Sequence, residues 1–177
     1  MGKKGSVWMK PDTFYKMIED IAGSLKSQGF KKLVLVIAHG GIFIAGPVVR
    51  EVNAVNDDFN IIRVDLVQFI ASAEMSAVLE CRDNLHACEY ETSLMLYKHP
   101  DLVRKDRIED SLPRVPREYL NYGSIFRYSK NGVWGMPSLA TEEKGKKIFD
   151  ILVDKSVLYV EDVSKILDSN DGYAPAP

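Results

Sequence analysis

The chain has 177 residues, 46% hydrophobic and 27% charged, which excludes a composition-driven disordered protein. Its formal charge of −2, from 23 basic and 25 acidic residues, gives no basic footprint for nucleic acid. The longest apolar runs, about six to nine residues, are far short of the roughly 20 that span a bilayer.

The N-terminal MGKKGSVWMKPD carries charge but no apolar core, so a secretory leader is not expected and a cytoplasmic location is. Pro11 suits the first helical position. Phe14, Met17, Ile18, Ile21, Ala22 and Leu25 then give an amphipathic helix that Gly29 should close. KKLVLVIA follows as a strand apolar on both faces, the pattern of a parallel sheet covered by helices. A second helix is expected over IFIAGPVVREVNAVN, and a second strand over IIRVDLV at 61–67. Helix, strand, helix and strand joined by short connections argue for a three-layer α/β domain. Residues 68–98 read as largely helical, with HACEYETSLMLYK the most periodic part. Residues 99–137, rich in Pro, Gly and Arg, read as a long functional loop or an oligomer arm. Thr141 should cap a last helix with Glu142 and Glu143 in its first turn and a buried stripe at Phe149, Val153, Val157, Val160 and Leu167. One domain over 1–168 and a flexible tail over 169–177 are expected.

Three stretches could carry chemistry. His39 ends the first strand, and open α/β sheets keep their ligands beyond the carboxyl ends of strands. Gly40 and Gly41 behind it allow a tight turn and close backbone approach to a bound group. A lone histidine at such a corner can equally be a satisfied polar residue. His86 and Glu89 would share a helical face at i, i+3, as an acid–base pair or a metal-binding pair. Glu91 would point elsewhere unless residue 86 precedes the helix. Trp134, set among the turn signals Asn131, Gly132 and Gly135, reads either as a lid over a pocket or as a packed core residue. His99, before Pro100, reads as a turn residue. Cys81 and Cys88 lack metal-site spacing and read as unpaired thiols.

In this order, AHGGIFIAGPVVREVN, HACEYETSLMLYKHPDLV and GVWGMPSLATEEKG resemble the creatininase family of metal-dependent amidohydrolases, over about residues 30–165. The resemblance implies a three-layer αβα sandwich with a mostly parallel sheet, assembled as a homo-oligomer, commonly a hexamer. It implies a Zn²⁺ or Mn²⁺ site that activates a water to hydrolyse a C–N bond in a small amide or cyclic amide. By position it makes His39 and Glu89 metal ligands, His86 the proton carrier and Glu91 its supporting catalytic carboxylate. Trp134, Gly40 and Gly41 would then face the substrate.

The sequence also departs from the family pattern. Ile42 replaces the asparagine after HGG, Ile37-Ala38 the Asn-Gly before it, and Cys88 the glycine of HAG. The family's opening Glu-x-His segment has no counterpart in residues 1–38, which contain no histidine. The chain therefore looks like the C-terminal two-thirds of such a domain, with the first portion expected on a partner chain or missing from this sequence. Catalytic zinc takes three protein ligands plus water, so the alternative expectation is an inactive relative kept for binding or assembly.

Overall fold

The computed structural model describes Gly5 and residues 7–169, so the tail expected at 169–177 lies, from 170 on, outside the described residues. The described chain falls into two compact units. One comprises Val7–Ile70 with residues 154–169, the other Gly5 with Ala71–Val153.

In the first unit, α1 (Pro11–Ser27) starts on its proline and buries Ile18 and Ala22. It closes in a Schellman turn. The N–H of Phe30 reaches the carbonyl of Leu25 at 3.2 Å, and that of Gly29, at φ +89°, reaches Lys26 at 2.9 Å. β1 (Lys32–Ile37) and β2 (Asn60–Asp65) pair in parallel as a two-stranded sheet, joined through α2 (Ala45–Ala54). α1 and α2 cover one face with a core of Ile18, Ala22, Val48, Val52, Phe59 and Ile61, flanked by Leu33 and Leu35.

Sequence alone makes β1 apolar and covered on both faces, but Val34 is 43% and Val36 56% exposed, while Ile62 and Val64 beside them are buried. Val34 and Val36 lie on the face opposite Leu33 and Leu35, the face that α1 and α2 do not cover, so it is only partly screened. On β2, Asn60 bonds back toward β1 through the carbonyl of Lys31, so Ile61 points its backbone groups the other way. Asn53 meets both of them: its amide nitrogen donates to the Ile61 carbonyl at 3.0 Å and its oxygen accepts the Ile61 N–H at 2.7 Å. Asp65 ends β2 by capping the short α3 (Leu66–Phe69), accepting from Val67 at 3.1 Å. The second strand is therefore shorter than 61–67 at its far end.

In the second unit the helix expected over 68–98 is broken. Only α4 (Ala73–Val78) and α5 (Glu89–Lys98) form there. Between them Ala87 takes φ +47° and Cys88 is extended, so the periodic run HACEYETS turns helical only at Glu89. His86 thus precedes the helix, and the expected i, i+3 face shared by His86 and Glu89 does not exist. Residues 99–137 are one- and two-turn 3₁₀ segments tied by isolated bridges, His86 to Trp134 and Ser111 to Gly135.

The last helix, α6 (Glu142–Asp168), has its N-cap at Thr141, whose hydroxyl accepts the Lys144 N–H at 3.1 Å. Its buried face is Gly145, Ile148 and Leu152 rather than the expected Phe149, Val153 and Val157, the latter two being exposed. Gly145 sets that choice. It lies so close to α5 that an added Cβ would overlap the carbonyl oxygen of Ser93. No helix among the described residues is long and apolar enough to cross a membrane.

Because the atom in the way at Gly145 is backbone, relief requires moving a helix. Gly145→Ala should destabilise the chain by about 2–3 kcal/mol, although alanine favours helix. Chemical denaturation checks this, and an unchanged midpoint would refute the close-approach reading.

Candidate functional site

His39 stands in the first unit, two residues past β1, in an exposed turn with Ala38, Gly40 and Gly41. Its Nδ1 lies 2.9 Å from the Gly41 N–H and accepts from it. The ring proton is therefore on Nε2. An added Cβ at Gly41 would come within 2.9 Å of the same ring, so glycine there lets the backbone fold against the imidazole.

His86 stands in the second unit with Glu89, Glu91 and Trp134. Its backbone exchanges hydrogen bonds with Trp134, at 2.8 Å from the Trp134 N–H and 3.1 Å to the Trp134 carbonyl. The ring Nδ1 is 2.7 Å from the carbonyl oxygen of Gly132. A carbonyl only accepts, so Nδ1 donates and Nε2 carries the lone pair in the neutral ring. The Asn131-Gly132 turn makes this possible. Asn131 accepts from the Val133 N–H and the Ser129 hydroxyl, while Gly132, at φ +81°, offers its carbonyl to the ring.

Trp134 is 1% exposed and donates from Nε1 to Asp83 at 3.2 Å. The ring is packed in the interior rather than open between glycines, and its backbone pairs with that of His86. Glu91 is the third residue of α5 and turns back to accept from the Cys88 N–H at 3.4 Å, closing a capping box. Burial pushes the Cys88 thiol up to about 11, so this cysteine stays protonated and is no thiolate.

Glu89 has no exposed surface. Its carboxylate accepts from the N–H of Glu80 at 3.1 Å, the N–H of Cys81 at 2.8 Å and the Asn84 amide at 3.4 Å. Lys144 Nζ closes the shell at 2.5 Å from Oε1, and the same ammonium binds Glu80 Oε1 at 2.5 Å and the Leu139 carbonyl at 2.8 Å. Burial acts to raise the Glu89 pKa, but Lys144, the two backbone N–H groups and Asn84 outweigh it and hold the carboxyl below the usual range. Lys144 is likewise disfavoured by burial, yet the two glutamates raise it above an ordinary lysine.

Lys144 was not among the residues that sequence reasoning selects. One signal was present: a lysine in the first turn of α6 opposes the helix dipole, which favours acids there. Such a misplaced cation needs a local partner.

A divalent metal was implied by the motif resemblance, and these side chains do not fit one as they stand. His39 has Nδ1 occupied by Gly41 and a proton on Nε2, and Glu89 is surrounded by donors from its own chain. Among the described residues no three His, Cys, Asp or Glu side chains gather to hold an ion.

The sign of the pH dependence follows from the two shifts. A lowered carboxyl stabilises the fold above the usual carboxylate range and loses this as pH falls through its folded value. A raised lysine stabilises below the usual ammonium range and loses this only in alkali. Glu89→Gln should cost about 3 kcal/mol at neutral pH, and the gap to the parent chain should narrow as the pH falls below the usual carboxylate range. Melting curves across pH check this, and a gap that stays constant into acid would refute a charged Glu89.

The comparisons with known proteins agree with the motifs. A family model for creatininase, described as creatinine amidohydrolase, matches residues 1–160. A solved protein of Bacteroides fragilis NCTC 9343 taken for a creatinine amidohydrolase is 26% identical, at a TM-score of 0.74. That alignment covers 97% of this chain and 68% of the other. A creatininase variant of the Zn–Zn type is 25% identical over 90% of this chain and 67% of that one, at 0.73. A creatininase variant complexed with creatine is 26% identical over 89% and 67%, at 0.72. No curated protein sequence matches the chain. With the fold, the order of the motifs and a match over nearly its whole length, the chain belongs to the creatininase family.

Proposed function

We propose that this chain serves hydrolysis of a C–N bond in a small amide or cyclic amide, with His86 as the group that moves the proton. Family membership supports this reading, since the family model is described as creatinine amidohydrolase. The observation that carries the assignment to His86 is the hydrogen bond that orients its ring, Nδ1 donating to the Gly132 carbonyl. A neutral ring with Nδ1 bound to a carbonyl presents a lone pair at Nε2, the form a general base needs. Trp134 and Asp83 hold the segment, and Glu91 orders the start of α5 behind it.

A Zn²⁺ or Mn²⁺ ion would supply a more acidic water to this reaction. The solved relatives described as Zn–Zn type and as a creatine complex support a metal and a small nitrogenous substrate in the family. In this chain His39 is the residue to test as a ligand, which requires its ring to give up the Gly41 contact. The rest of a shell would come from a second copy in a homo-oligomer or from a partner chain that supplies the family's opening segment.

One observation favours a second reading, a family member kept for binding or assembly. Glu89, which the motif resemblance makes a ligand, is committed to Lys144.

The discriminating assay incubates the purified chain with Zn²⁺ or Mn²⁺ and a panel of small amides and cyclic amides, following release of the amine or ring opening. Hydrolysis should appear and fall by about 10²–10⁴-fold in His86→Ala, with the melting temperature nearly unchanged. No turnover across the panel, alone or with the homo-oligomer intact, would favour the assembly reading.

A further inference from the structure

In this fold an ammonium stands where a cation is needed. We propose that Lys144 is a built-in cation for Glu89, so that the wild-type chain binds no divalent metal through this glutamate.

The geometry is that of a small oxygen cradle. Glu89 Oε1 and Glu80 Oε1 lie 2.5 Å from Nζ, and the Leu139 carbonyl oxygen lies 2.8 Å from it. Two carboxylates and a carbonyl are the ligand set of a hard divalent ion such as Mn²⁺ or Mg²⁺. Here the ammonium satisfies them with its three N–H donors, one to each oxygen. A metal ion and the ammonium cannot share this space, and like charges at such distances repel strongly. The other Glu89 oxygen is no freer, because it accepts from Cys81, Glu80 and Asn84. A metal could reach Glu89 only by expelling Lys144 from a site where 16% of its side chain is exposed.

The placement also explains the lysine's position. Thr141 starts α6 so that the third residue of its first turn faces α5, and Gly145 one residue later lets the two helices approach. The inference rests on this lysine's contacts and holds whichever reaction the chain serves. It makes Lys144 the reason that any metal in this protein is held without Glu89.

The test measures Mn²⁺ and Zn²⁺ uptake by elemental analysis, and the melting temperature with and without Mn²⁺, for the full chain and three variants. Wild type and Glu89→Gln should take up the same amount of either metal. Lys144→Met should gain a Mn²⁺-dependent rise in melting temperature that neither wild type nor the double variant Lys144→Met/Glu89→Gln shows. An ion bound by wild type and lost in Glu89→Gln would overturn the proposal. So would a folded Lys144→Met chain that Mn²⁺ leaves unchanged. If Lys144→Met does not fold even with Mn²⁺, the comparison of wild type with Glu89→Gln decides alone, in the directions already given.

Discussion

A carboxylate with no exposed surface keeps its charge only if the protein replaces the water it has lost. Glu89 shows how much chain that takes. The N–H groups of Glu80 and Cys81, the Asn84 amide and the Lys144 ammonium converge on two oxygens. The turn that follows Leu79 wraps around this carboxylate, α6 sends its first-turn lysine to it, and α5 begins at it. Remove the charge and three separate segments lose their common anchor. His86 sits in the loop so anchored, between Asn84 and the helix start, so the orientation of its ring depends on a residue that never meets it in hydrogen bonding.

The same region shows what a sequence displays and what it hides. Pro11, Gly29 and Thr141 announce α1 and α6 because each acts on its own neighbours: a fixed φ, a left-handed residue, a side-chain cap. The continuous apolar run of β1 and the short loop to α2 are legible for the same reason. The break before Glu89 is not, since Ala87 holds φ +47° without being Gly or Asn, and nothing in its side chain signals the turn. The buried face of α6 is also hidden. Several apolar stripes are available along 27 residues, and the one chosen is set by the contact of Gly145 with Ser93, far away in sequence.

For the site, residue types were readable and partnerships were not. His39, His86, Glu89, Glu91 and Trp134 all stand in their motifs, but the ion pair of Glu89 with Lys144 spans 55 positions. Motif reading assigns a glutamate by its neighbours along the chain. Its chemistry is decided by its neighbours in space, and here they include a cation. The two histidine rings make the same point: His39 accepts at Nδ1, and His86 donates there.

Asn53 has a consequence for how the parallel sheet can be extended. Its carboxamide offers one donor and one acceptor to Ile61, as the backbone of an adjoining strand would. At that point the outer side of β2 already has a neighbour, made from a helix side chain. A further strand beside β2 would have to evict that amide and leave α2 with an unpaired polar group. Among the described residues no side chain hydrogen-bonds to the backbone of β1 in the way that Asn53 bonds to β2. The two flanks of the sheet thus differ: a helix side chain stands in for a strand beside β2, and none does so beside β1 among the described residues.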